Sequence, residues 1–196
     1  YLKSVKNVLE PSCGSCEYLR ILTKKHSNLK ITGIEFNKII FDSIQSFENK
    51  NIKLYNDNYL TYDSPTKYDL IIGNPPYYVM KKKEVDSYYH NYFDGRPNIF
   101  ILFIIKSLML LNDNGILSFV LPTNFLNCLY YDKTRKYISN NFKILQILKG
   151  DDDYIETKQE TIILIVQKSI DKDYMNKKFI LDNEKYTIFG IPENIT

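Results

Sequence analysis

No apolar stretch in this chain is long enough to cross a bilayer: the longest, Ile99 to Ile105, is closed by Lys106 and falls far short of the roughly 18 residues a spanning helix needs. No secretory leader is visible either. Cysteine is scarce, and three thiols without a leader argue against a disulfide framework and for reduced cysteines, as in a cytoplasmic, intracellular protein. The two histidines, His26 in a lysine-rich helix end and His90 in an aromatic segment, form no cluster. Cys128 is the only thiol besides Cys13 and Cys16, so no second pair completes a zinc site and no metal is expected. A net charge of +3 neither demands nor opposes a polyanionic partner. Internal repeats and low-complexity tracts are absent. What is present, 44% hydrophobic and 25% charged residues over 196 positions, suits a soluble domain with one core. The chain begins at Tyr1 rather than Met, and a piece of something longer is the expectation.

Short apolar runs alternate with segments of helical spacing. Strands are expected at Val5 to Leu9, Lys30 to Phe36, Ile52 to Tyr55, Lys67 to Ile72, Ile116 to Leu121, Ile144 to Leu148 and Thr161 to Val166. Helices are expected after Cys16 (Tyr18, Leu19, Leu22), through Ile40, Phe41, Ile44 and Phe47, over Asn98 to Leu111 and over Tyr131 to Ser139. The third of these is apolar on most faces and should be buried, ending at Asn112 to Gly115. Such alternation predicts an α/β fold with ligands at the carboxyl edge of the sheet.

That edge carries unusual chemistry. Glu10, Glu35 and Asp57 stand at the ends of the first three strands, and Glu35 follows the first turn by about twenty residues, where an acid in a doubly wound fold accepts hydrogen bonds from ribose hydroxyls. A solvated strand-end glutamate is the plainer alternative. Cys13-Gly14-Ser15-Cys16 opens a helix as a redox motif or half a zinc site would, or as small residues that let backbone approach a ligand. The fourth strand runs into Asn74-Pro75-Pro76-Tyr77-Tyr78. Two prolines fix two φ angles and remove two N–H donors, leaving Asn74 and the Pro75 carbonyl as free acceptors beside an aromatic face. These suit an exocyclic amine on a ring; an ordinary proline turn is the alternative. Residues 79 to 97 interleave Lys81, Lys82, Lys83 and Arg96 with tyrosines, as phosphate contacts and base stacking require, or form a mobile solvated loop. The acidic run Asp151 to Asp153 lacks calcium-loop spacing and is read as solvated.

Together, Glu10-Pro11-Ser12-Cys13-Gly14-Ser15-Cys16, the acids at 35 and 57, and Asn74-Pro75-Pro76-Tyr77 resemble the gamma class of S-adenosylmethionine-dependent adenine-N6 DNA methyltransferases of restriction-modification systems. The segment from Asn98-Ile99-Phe100 through Gly115 to Pro122 is similar to the run of that class from buried helix into fifth strand. The first motif departs from Glu-Pro-x-x-Gly-x-Gly in having Cys16 at its second glycine. The resemblance implies a Rossmann-like methyltransferase fold, a mostly parallel seven-stranded sheet with helices on both faces, over residues 1–168. Residues 169–196 would be a C-terminal extension that could begin a target-recognition region, and such a domain or a restriction subunit would be a partner.

By the same resemblance S-adenosylmethionine is the cofactor, held by Glu10, Pro11, Gly14, Glu35 on the ribose, Asp57 on the adenine amine and Phe103 against the adenine ring. Asn74 and Pro75 would accept the N–H bonds of a flipped adenine in DNA, Tyr77 and Tyr154 would stack on it, and Tyr78, Lys81, Lys82, Lys83 and Arg96 would touch the nucleic acid. The tetrapeptide also occurs in enzymes that methylate a release-factor glutamine and, in related forms, RNA bases. A non-catalytic nucleic-acid-binding subunit of the same fold is a further alternative.

Overall fold

A computed structural model describes residues 4–150 and 160–169, and the backbone alone of 179–181 and 184–186. The elements follow in the order β1 (Asn7–Glu10), α1 (Glu17–Lys25), β2 (Lys30–Glu35), α2 (Lys38–Ile44), β3 (Ile52–Asn56), β4 (Tyr68–Gly73), α3 (Ile99–Leu110), β5 (Leu111–Pro122), α4 (Asp132–Asn141), β6 (Lys143–Lys149) and β7 (Thr161–Gln167). A separate hairpin joins β8 (Phe179–Leu181) to β9 (Glu184–Tyr186).

Strands β1 to β7 form one sheet in the order β3-β2-β1-β4-β5-β7-β6. All neighbours are parallel except β7, which runs antiparallel to β5 and β6. Alternation along each strand separates two cores. Val8, Ile31, Leu70 and Ile116 pack with Leu19 and Leu22 of α1 and Ile44 of α2. Their neighbours Leu9, Ile34, Ile71 and Leu117 face the opposite core, with α3 and Ile138 of α4. Helices therefore cover both faces, as in Rossmann-like methyltransferases. From Ile99 to Ile105 every residue of α3 is buried, which its lack of a polar face requires. No helix among the described residues is long and apolar enough to cross a membrane.

Between β1 and β4 the strand order reverses, since the chain steps outward to β2 and β3 on one side and to β5 on the other. Such a switch point leaves a crevice at the carboxyl ends of the two central strands. Glu10 ends β1, and Asn74 follows β4.

Three expectations need correction. The second helix stops at Ile44 and gives way to a 3₁₀ turn, Gln45–Phe47, with Ile40 exposed and Ile39 81% exposed. The fifth strand starts at Leu111, not Ile116: Leu111 pairs with Tyr68, and the register then shifts to Leu70–Ile116. Asn112 donates to Asp69 Oδ1 at 2.7 Å within that irregularity, and a Cβ on Gly115 would fall 2.8 Å from the Asn112 carbonyl oxygen. Residues 79–97 are not a mobile solvated loop. Their base is closed by a Val79–Asn98 bridge and a Met80 N–H to Pro97 carbonyl bond, while Val85, Tyr89 and Phe93 are buried in the α3 core. The Thr134 hydroxyl donates to the Tyr92 carbonyl at 2.6 Å, and Lys133 pairs with Asp94 at 2.5 Å, tying the segment to α4.

Asp69 fastens the amino-terminal edge of the sheet, accepting the Lys6 and Asn7 N–H groups at 2.9 Å each. Burial alone would raise its carboxyl, but the bonds from Asn7, Asn112 and Lys6 and the Lys6 charge outweigh it and hold it below the ordinary range. A depressed carboxyl stabilises the fold above its unfolded pKa, and that contribution is lost as pH falls through the folded value. Asp69→Ala should therefore cost about 1 kcal/mol in urea unfolding at pH 7. The difference from wild type should shrink in acid as Asp69 protonates.

Candidate active site

The turn after β1 is shaped by two left-handed residues. Gly14 has φ 49° and Cys16 φ 63°, so the position where the family pattern has its second glycine does adopt a glycine-type conformation, with a cysteine in it. The Cys16 N–H closes the turn onto the Cys13 carbonyl at 2.7 Å. Both side chains are buried as free thiols. A hydrogen bond from Cys13 holds the Cys16 thiol low, and the same bond pushes Cys13 up. Among the described residues no group of three or more His, Cys, Asp or Glu side chains could hold a metal ion.

Glu35 organises the turn from across the sheet. Its Oε2 accepts the Gly14 N–H at 2.9 Å and its Oε1 accepts the Asn37 N–H at 2.7 Å. Each oxygen keeps a lone pair for a ligand hydroxyl. Asn56, at the end of β3, donates its side-chain amide to the Glu35 carbonyl at 2.9 Å and to the Phe36 carbonyl at 3.1 Å, locking the two strand ends together. Asp57 follows and is exposed, with Oδ1 accepting the Asn58 N–H at 2.6 Å. The Lys106 ammonium of α3 holds the loop beyond by donating to the Leu60 and Tyr62 carbonyls at 3.1 and 2.6 Å.

Glu35 and Asp57 wall a cavity of about 370 Å³, within the usual range for small-molecule sites. Pro11, Glu35, Asp57 and Phe103 line it with Asn74 and Tyr78. Phe103 is buried, its ring 4.9 Å from that of Tyr59. Glu10 is 2% exposed, and its Oε2 has no hydrogen-bond partner among the described residues. A buried, unpartnered carboxyl oxygen with flanking acids, beside an apolar wall and two further carboxylates, fits a ligand with a cationic end, a sugar and an aromatic ring, as S-adenosylmethionine has.

On the β4 side Asn74 is exposed and Pro75 buried. Asn74 is held at two points. Its carbonyl accepts the Ser12 hydroxyl at 3.1 Å, across the switch point, and its Oδ1 lies 2.5 Å from the Tyr77 hydroxyl. The Tyr77 hydroxyl is also 2.7 Å from the Val120 carbonyl, and the ring meets Phe100 edge-on at 5.9 Å. Tyr78 is 54% exposed. Lys81, Lys82, Lys83 and Arg96 are exposed on the packed segment beyond. Tyr154 and the acidic run 151–153 lie outside the described residues.

Sequence reasoning missed Ser12, Asn56, Tyr59 and Val120. Ser12 sits in a motif already singled out and Asn56 beside Asp57, and only their bond partners, distant in sequence, distinguish them. Val120 acts through its carbonyl, which leaves no mark on residue type.

Burial, with Cys16, Glu17 and Glu35 nearby, pushes the Glu10 carboxyl from 4.5 up to about 9. A raised carboxyl favours folding fully below its unfolded pKa, and that advantage is lost as pH rises through the folded value. The protein should thus lose stability relative to Glu10→Gln as pH climbs from about 4.5 to about 9 in paired urea titrations. A cation placed beside Glu10 would draw the proton off. Binding of S-adenosylmethionine at pH 7 should therefore release a proton, seen as a buffer-dependent calorimetric heat that Glu10→Gln removes.

Known proteins resemble this chain in sequence and in fold. The type II methyltransferase M.AccI of Acinetobacter calcoaceticus is 30% identical over 160 residues, covering 76% of this chain and 29% of that protein. M.CvrRI of Paramecium bursaria Chlorella virus XZ-6E is 29% identical over 167 residues, 83% of this chain and 42% of that one. The chain thus spans less than half the length of these relatives. In fold it matches a Listeria monocytogenes protein described as a class I S-adenosylmethionine-dependent methyltransferase, with a TM-score of 0.74, 19% identity and coverage of 92% of this chain and 59% of that one. The type IIG restriction endonuclease BpuSI gives a TM-score of 0.71 at 14% identity, covering 90% of this chain and 23% of that chain. Residues 10–155 match the Eco57I restriction-modification methylase family, and the chain belongs to that family.

Proposed function

We propose that the chain transfers a methyl group from S-adenosylmethionine to the N6 amine of an adenine flipped out of DNA. The observation that carries this reading is the position of Asn74, beyond the end of β4 on the wall of the cavity that Glu35, Asp57 and Phe103 also line, with the Pro75 carbonyl as the adjoining acceptor. Relatives that are restriction and modification enzymes support a DNA substrate, and the resemblance of the tetrapeptide to adenine-N6 enzymes supports the base.

When bound, S-adenosylmethionine supplies an electrophilic methyl group on a sulfonium. Glu35 would accept the ribose hydroxyls, Asp57 the amine of the cofactor's adenine, and Phe103 would pack on its ring. An aryl amine is a weak nucleophile because its lone pair is delocalised. The Asn74 side-chain oxygen and the Pro75 carbonyl, each taking one N–H, favour a pyramidal nitrogen and aim its lone pair. A neutral amide remains an acceptor at every working pH, and no strong base is needed, since the methylated nitrogen is acidic. A paired base cannot enter such a pocket, so the nucleotide must leave the stack, with Tyr77 and Tyr78 supplying aromatic surface beside the acceptors. Lys81, Lys82, Lys83 and Arg96 would meet phosphates.

Asn74→Ala should lower methyl transfer to DNA by at least about 100-fold while leaving cofactor affinity within a few-fold. Scintillation counting of labelled DNA and calorimetric titration measure the two; loss of cofactor binding instead would sink the assigned role. Replacing Lys81, Lys82 and Lys83 together by alanine should flatten the dependence of DNA affinity on salt, by about one unit of log–log slope per phosphate contact removed. An unchanged slope in fluorescence anisotropy would place the DNA elsewhere.

A further inference from the structure

The Tyr77 hydroxyl carries one proton and stands between two oxygens, Asn74 Oδ1 at 2.5 Å and the Val120 carbonyl at 2.7 Å. Strand register decides which of them receives it. In the antiparallel β5–β7 ladder the Thr123 N–H donates to the Glu160 carbonyl and the Lys168 N–H to the Gly115 carbonyl. Hydrogen-bonded pairs therefore fall at odd positions of β5, and Val120 turns its carbonyl toward β4. The parallel β4–β5 ladder ends with Ile72 opposite Ser118 and Gly73 opposite Phe119. One step further, Asn74 would lie opposite Val120, and the Val120 carbonyl would call for the N–H of residue 75. Residue 75 is proline and has none. The Tyr77 hydroxyl fills the place of that missing donor.

With its proton committed to Val120, the Tyr77 oxygen can only accept from Asn74. A half-turn about the Cβ–Cγ bond of Asn74 exchanges its oxygen and nitrogen, and only the orientation with Nδ2 toward Tyr77 gives every contact a donor and an acceptor. We infer that Tyr77 is a positioning residue whose hydroxyl, held by Val120, sets the Asn74 amide so that Oδ1 faces the incoming amine. The opposite orientation would present an NH₂ group to another NH₂ group. The Ser12 bond to the Asn74 carbonyl fixes the same residue's backbone, so side chain and main chain are set independently. This assignment rests on Asn74 serving as an amine acceptor, and it adds to the ring of Tyr77 a separate duty for its hydroxyl.

Two measurements test it. In the intact protein Tyr77→Phe keeps the ring and removes the hydroxyl. The single-turnover methylation rate on DNA should fall roughly 10- to 100-fold, with dissociation constants for DNA and for S-adenosylmethionine within about threefold of wild type. An unchanged rate, or a loss matched by equal weakening of binding, would overturn the assignment. Neutron diffraction from deuterated wild-type crystals reads the geometry without reference to activity. The expected result is a deuteron on the line from Tyr77 to Val120 and the Asn74 ND₂ group facing Tyr77; a deuteron pointing at Asn74 contradicts it. Absence of methylated DNA with the wild type, by contrast, would count against the proposed reaction and not against this geometry.

Discussion

The β4–β5 ladder stops at Gly73–Phe119 because the chain next places two prolines where a strand would need an N–H. That interruption frees the carbonyl end of β4 from the sheet at the point where strand order reverses. Asn74 can then leave the plane of the ladder and join the wall of the cavity that Glu35 lines. Without the stop, β4 would continue beside Val120 and the acceptors would be spent on backbone pairing. The break is repaired from within, since the Tyr77 hydroxyl meets the carbonyl left over on β5. One local constraint thus creates the reactive loop and supplies its anchor.

The cofactor side is built on a different principle. Glu35 is held by backbone N–H groups of two separate segments, so its carboxylate is ordered before any ligand arrives. Glu10 is buried with an unpartnered oxygen and kept protonated by its surroundings. One acid is preorganised for hydroxyls and the other stores an unmet demand for positive charge. The Ser12–Asn74 bond joins the two halves across the switch point.

Much of this was legible in the sequence because it depends on local pattern. Apolar runs of four to seven residues placed the strands of the main sheet, and the unbroken apolar stretch from Ile99 to Ile105 marked a buried helix. The acids at 10, 35 and 57 could be placed at strand ends by counting. What escaped depends on contacts between residues far apart in the chain. Tyr77 reads as a stacking ring, and its hydroxyl's engagement with Val120 follows only from register across β4, β5 and β7. The segment 79–97 is polar enough to read as solvated, yet Val85, Tyr89 and Phe93, spaced four apart, bury it against α3. The start of β5 was hidden by Asn112 to Gly115, residues that look like a turn but are held in the sheet by Asp69 and a single glycine.

The central claim is the identity of the accepting nitrogen. Incubating the intact protein with DNA and S-adenosylmethionine bearing a deuterated methyl group, digesting the DNA to nucleosides and resolving them by mass spectrometry names that atom. The account predicts label in N6-methyladenine alone. Label in N4-methylcytosine, or unlabelled DNA beside a labelled glutamine in a release-factor substrate, would contradict it.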